Sequence, residues 1–355
     1  MNLNVPTAET AYPSTRTKTK RTRTMKQRIS TILATALILI ISFTACSQNE
    51  VLNIYTSRHY DSDLLLYDAF TEKTGIEIRT IEGGGDELIE RMKNEGENSP
   101  ADVLITVDAG RLWRAEQAGV FQPHGSEVLK AAVSAEYRNE EDLWVGLSKR
   151  VRGIVYRTDR VDADDLQGYR ELAGEQWKGR ICVRSSNNIY NQSLLAAMIE
   201  RDGPERAEEW VNAFVGNFAQ APQGGDTDQI RFVAAGVCDV AIVNHYYLTR
   251  LRSSAQESDR EVAANVAIWF PPAEFGGSHI NVSGAGLAAH APNRENAVRF
   301  LEFLVTPEAQ RLYALANREY RILESDAPAG DGLHVRTYGA NNPEAIRMMD
   351  RAGWK

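Results

Sequence analysis

Cysteine, histidine and long apolar runs are all scarce in this chain of 355 residues. Each scarcity closes off a class of function. Three cysteines and six histidines offer little to a soft-ligand metal centre, and His124, His279, His290 and His334 have no metal-like spacing. The longest apolar run, 32–45, has 14 residues, short of the roughly 20 that span a bilayer as a helix. No GxSxG or HExxH motif occurs, and "EGGGDE" (82–87) lacks both the Lys-Ser/Thr ending of a P-loop and the Rossmann spacing, so it reads as a turn into a helix. Carboxylates are scattered over helical patterns. The expectation is therefore not an enzyme. No period repeats, and no Pro/Gly/Ser-rich linker separates the halves, which favours two domains joined by strand crossings over beads on a string.

The first fifty residues differ from the rest. "RTKTKRTRTMKQR" is basic, and the apolar core and small residues that follow read as a secretory signal over 1–45. "FTAC" (43–46) resembles the bacterial lipoprotein cleavage box, which implies a lipid on Cys46 and a tether over 46–50; plain secretion with cleavage near Ala45 is the alternative. Without the seven basic residues and one acid of 1–45, the formal net charge goes from −8 to −14. So acidic an exported protein is poorly suited to nucleic acid or anionic lipid and better suited to a small cation. In an oxidising compartment Cys182 and Cys238 could pair, or equally be two small buried hydrophobes.

From residue 51, short apolar runs alternate with amphipathic patterns. "VLNIYT", "IEIRTIE" and "ADVLITV" read as strands, each followed by a helical stretch, and the pattern restarts with "GIVYRT", "RICVRS" and "CDVAIVN". Helices follow near the end over 292–317 and 341–353. This predicts an α/β architecture with parallel pairing, the chain crossing between halves near 148–153 and 271–277.

Ligand sites in such sheets lie beyond the carboxyl ends of strands. Those positions hold "SRHY", "TVDAG", "SSNNIYNQS" and "HYYLTR". Asp108 in "TVDAG" is a helix N-cap. The other three gather His59, Tyr60, Tyr190, Tyr246 and Tyr247. Ionising one phenol at pH 7 costs about 4 kcal/mol, and four cost roughly 16 kcal/mol, which a hard trivalent cation offsets better than zinc, calcium or magnesium. Four phenolates and a neutral imidazole around Fe³⁺ leave one negative charge for a nearby Arg58 or Arg152 to balance. Adjacent Tyr246 and Tyr247 point about 100° apart on a regular helix, so both meet one ion only at a helix start. Tyr55, Tyr67, Tyr156 and Tyr313 lie in periodic apolar patterns and read as packing residues.

"YTSRHYDSD", "SPADVLITVDAGRLWRAEQAG", "WVGLSKRVRGIVY", "WKGRICVRSSNNIYNQSL" and "DVAIVNHYYLTR" resemble the periplasmic ferric-iron-binding proteins of ABC transporters, in the branch with one His and several Tyr ligands. The resemblance runs from about residue 51 to the C-terminus. It implies a type II periplasmic-binding-protein fold like a transferrin lobe, with hinge strands and a central cleft. The lobes are expected at 51–150 plus 273–322 and at 151–272 plus 323–355. It implies Fe³⁺ as transported ligand, the metal ligands His59, Tyr60, Tyr190, Tyr246 and Tyr247, a monomer, and an inner-membrane permease as partner. His245 departs from the family's usual small polar residue; it is open whether it touches a ligand, lies on the surface or is a further ligand. The rival expectation keeps the fold and changes the solute to a polyamine, thiamine or an oxyanion.

Overall fold

A computed structural model describes residues 1–2, 50–58, 61–323 and 327–355, with 61, 62 and 315–317 as backbone alone. Cys46, His59, Tyr60 and nearly all of the expected signal segment lie outside the described residues. Residues 50–355 form one compact unit.

Strand and helix alternate at the start as the apolar pattern predicts. β1 (Val51–Thr56) leads to α1 (Asp61–Thr74), β2 (Glu77–Glu82) to α2 (Gly85–Glu95), and β3 (Val103–Val107) to α3 (Ala109–Gln117). A short α4 (Glu127–Ala132), begun by the Ser126 hydroxyl accepting from the Leu129 N–H, precedes the long β4 (Trp144–Arg157). The pattern then resumes. β5 (Ile181–Cys182) is followed by α5 (Ile189–Asp202), α6 (Pro204–Val215) and α7 (Asp226–Ala234). β6 (Val240–Asn244) runs directly into α8 (His245–Arg252), then α9 (Glu257–Ala264) and β7 (Val266–Trp269). After β8 (Ile280–Leu287) come α10 (Arg294–Leu304), α11 (Pro307–Asn317), β9 (Tyr320–Arg321), α12 (Arg336–Ala340) and α13 (Asn342–Ala352).

The strands are ordered β2-β1-β3-β8-β4-β6-β5, with β7 and β9 also on β4. Pairing is parallel at β1–β2, β1–β3 and β5–β6, but antiparallel wherever β4 or β8 takes part. The expected parallel pairing thus holds at β1–β2, β1–β3 and β5–β6 and is corrected where β4 or β8 takes part. β4 changes partner midway: Trp144–Val151 lies against β8, and Arg152–Tyr156 against β6. β4 runs against its partner on both sides of the change, first β8 and then β6.

β8 is the element the apolar pattern passes over. "INVSGAGL" is buried along its whole length yet carries small residues, because neighbours press on it. A Cβ on Gly286 would lie 2.3 Å from the Phe121 ring, and one on Gly284 2.7 Å from the Val145 carbonyl. The strand read at 180–185 shrinks to two residues, and the remainder turns towards α5. Cys182 and Cys238 are disulfide-bonded, with Cα atoms 5.8 Å apart. They sit in an apolar cluster with Val155, Ile230, Ala241 and Leu248.

Candidate metal centre

Tyr190 and Tyr246 owe their positions to the same device, a helix starting just beyond neighbouring parallel strands. Asn188 caps α5, its side-chain oxygen accepting the Tyr190 N–H at 3.1 Å, which places Tyr190 in the first turn. β6 passes into α8 without a loop, so Tyr246 and Tyr247 are its second and third residues. The positive ends of both helix dipoles thus lie at the phenol-bearing turns. The Tyr190 and Tyr246 hydroxyl oxygens are 3.5 Å apart, on residues 9% and 1% exposed. The Tyr246 and Tyr247 rings lie 4.4 Å apart at 33°, side by side at the helix start, and Tyr247 is half-buried.

Guanidinium groups surround these rings. Arg150 lies 5.0 Å from the Tyr190 ring centre, Arg184 5.5 Å and Arg152 5.8 Å. Arg250 lies 4.9 Å from Tyr246 and 5.9 Å from Tyr247. Each of these four cations within 6 Å is in reach of a ring face. Two buried carboxylates hold three of them. Asp108 takes Arg150 at 3.0 Å, and Asp226 takes Arg184 at 3.0 Å and Arg152 at 3.6 Å. Asp226 also accepts the Asn244 N–H at 2.8 Å, which ties it to the residue before α8. Burial pulls the Arg150 guanidinium down, but Asp108, Tyr190 and Tyr246 outweigh it, and the group stays above its ordinary value. Guanidinium groups and the carboxylates that hold them thus surround oxygen atoms able to become anions.

His245 is settled by its partners. Its Nδ1 accepts the Val151 N–H at 3.2 Å, so Nε2 carries the proton and donates to the Arg318 carbonyl at 3.0 Å. The ring stacks on Tyr320 at 4.5 Å. Burial lowers its pKa to about 4, so the ring is neutral. With both nitrogens committed to backbone, His245 is a structural joint between β4, α8 and the end of α11, not a further ligand. Arg58 is likewise engaged, with Asp63 at 2.9 Å and Glu319 at 3.2 Å, so its charge is already matched. Tyr55, Tyr67 and Tyr313 are buried packing residues, and burial pushes the phenols of Tyr67 and Tyr313 above their ordinary value.

Among the described residues, Tyr190, Tyr246 and Tyr247 are brought together; the other two expected ligands precede α1 in the sequence and lie outside the description. No group of three His, Cys, Asp or Glu able to hold a metal occurs among the described residues. Sequence reasoning missed Arg150, Arg184, Arg250 and Asp226. The available signal was arginine inside apolar runs, in "SKRVRG" and "RICVRSS", where an unpaired charge is costly.

The profile of the bacterial extracellular solute-binding protein family matches residues 63–311. In sequence the chain is similar to iron uptake protein A1 of Synechocystis sp., 46% identical over 325 residues that cover 89% of this chain and 90% of that one. In structure it is similar to a Trichodesmium protein (IdiA, FutA) in complex with iron and citrate ligands. That likeness has a TM-score of 0.83 and 48% identity, covering 86% of this chain and 100% of the other. A ferric binding protein from Campylobacter jejuni matches with a TM-score of 0.80 and 34% identity over 86% of this chain and 100% of that one. The fold is thus the two-lobe type II arrangement around a curled mixed sheet.

Proposed function

Because the chain belongs to the bacterial extracellular solute-binding protein family, we propose that it captures ferric ion outside the cytoplasm and delivers it to an ABC permease, with no enzymatic step. The observation that carries this reading is the pair of buried phenol oxygens 3.5 Å apart inside a shell of guanidiniums. Two phenolates so close repel unless a cation lies between them, and a hard trivalent ion meets that need. His59, Tyr60, Tyr190, Tyr246 and Tyr247 hold the ion, and Arg150, Arg152, Arg184 and Arg250 offset the excess of phenolate charge. The iron uptake protein of Synechocystis sp. and the iron-bound Trichodesmium protein support the choice of iron.

Two lobes, 51–150 plus 273–322 and 151–272 plus 323–355, close on the ion about the strands that cross between them. The partner change of β4 at Val151–Arg152 supports that boundary. The protein works as a monomer in the periplasm, held to the membrane by a lipid on Cys46. The disulfide suits an oxidising compartment. Binding releases phenol protons, so affinity falls as pH falls. Ferric tyrosinate absorbs visible light, and the test follows from that. The protein titrated with ferric citrate gains a visible band, and Tyr246→Phe weakens the band and loses at least tenfold in affinity. A variant that matches the wild type in both colour and affinity excludes the assignment.

A further inference from the structure

Asp108 looks at first like a helix cap, and its Oδ1 does accept the Gly110 N–H at 3.0 Å. A cap needs no more than that, yet Asp108 is held in a backbone conformation that L residues avoid, with φ 83° and ψ 127°. Such strain persists only where the surroundings over-determine it, and here they do. The Asp108 N–H donates to the Val282 carbonyl of β8 at 3.0 Å, and its own carbonyl accepts from Arg111 at 3.0 Å. The side chain, fully buried, reaches two further elements. Oδ1 accepts from the Ser193 hydroxyl of α5 at 2.5 Å, and Oδ2 accepts from Arg150 of β4 at 3.0 Å.

Those two partners are informative. Ser193 lies three residues after Tyr190, on the same face of α5. Arg150 is the guanidinium nearest the Tyr190 ring, 5.0 Å from its centre. One carboxylate therefore fixes both the helix that carries Tyr190 and the cation that faces it. Asp108 and Ser193 also fall in different lobes on the division proposed above, so their hydrogen bond crosses the cleft. Gly110 marks how closely the two helices meet: a Cβ there would lie 3.3 Å from Ile189 and 3.4 Å from the Ser193 hydroxyl.

We infer that Asp108 is a positioning residue that latches the closed lobes through Ser193 while holding Arg150 against Tyr190, so that iron release requires this bond to break. The inference rests on the ferric reading and on the proposed lobes. The latch is not the sole tie, since Arg114 on α3 also reaches Gln192 at 3.2 Å and Asn342 at 2.7 Å; breaking it speeds opening without preventing closure.

The test is the rate at which a competing chelator strips ferric ion, followed by loss of the visible band. Ser193→Ala is expected to release iron about tenfold faster, the scale of one hydrogen bond to a charged acceptor. Its band stays at the wild-type position, because Tyr190 still binds. Ser193→Thr, which keeps the hydroxyl, restores the slow rate. Asp108→Asn, which keeps the cap but removes the negative charge that faces Arg150, is expected both to speed release and to shift the band. Wild-type release from Ser193→Ala, or release from Ser193→Thr as fast as from Ser193→Ala, overturns the latch. If the wild type gives no band at all, the ferric reading fails, and the radius of gyration of the iron-free protein decides the latch: expansion in Ser193→Ala supports it and identical radii overturn it.

Discussion

Glu319 shows what a single buried charge does in this protein. Its carboxylate takes the Arg58 guanidinium at 3.2 Å and the Ser148 hydroxyl at 2.6 Å, joining β1's exit, β4 and the end of α11. Burial works to raise its pKa, but Arg58, Ser148 and Arg150 outweigh burial and hold the group below its ordinary value of 4.5. The folded state therefore binds the proton less readily than the unfolded chain. The resulting stability is fully present above about pH 4.5 and is lost as pH falls through the lower folded value. Glu319→Gln is expected to cost about 1–3 kcal/mol at neutral pH, since Arg58 keeps Asp63 but loses a second charged acceptor. Its denaturant midpoint should also change less between neutral pH and pH 3 than that of the wild type. Equal acid limbs in the two proteins would remove Glu319 from this account. At the same scale, Tyr190, Tyr246 and Tyr247 are legible from sequence because rings past strand ends have no packing reason to be there. The arginines around them are not, because a guanidinium's partner is chosen across the fold: Arg150 finds Asp108, 42 positions away.

Among the elements, β5 and β6 matter most, because each delivers a tyrosine-bearing helix start. The Cys182–Cys238 disulfide ties their sequences together across 56 residues. Closing a loop of that length in the unfolded chain contributes about 4 kcal/mol. Urea unfolding with and without a reductant, and of the Cys182→Ser/Cys238→Ser double variant, should show a loss of that order, with the oxidised wild type the most stable. A midpoint indifferent to reduction would mean that the pair acts only as apolar filling. The helices α1, α2, α3, α10, α11 and α13 fall where the periodic patterns place them. β8 does not announce itself, since its Gly284 and Gly286 answer to Val145 and Phe121 rather than to any local propensity. The second half of β4 is legible as "GIVYRT", but its first half is hidden for a related reason. Lys149, Arg150 and Arg152 are buried in it, and a strand with three cations reads locally as a surface crossing.

For the whole molecule, the expected consequence of ferric binding is closure. Small-angle scattering should give a smaller radius of gyration on adding ferric citrate to the wild type, together with a higher thermal midpoint, because a ligand held only by the folded state stabilises it by mass action. A midpoint that rises with no change in radius would count against the hinge while leaving the binding in place. The chain's order alone determined an α/β protein with rings placed past strand ends, because periodicity and helix caps are local properties that neighbouring residues settle. Only the tertiary structure decided that β4 serves two sheets, that His245 is spent on backbone groups, that Cys182 and Cys238 bond, and that Asp108 reaches Ser193 and Arg150. Each of those depends on which distant segments meet, and a buried charge or sulfur has no fixed meaning until its partner stands beside it.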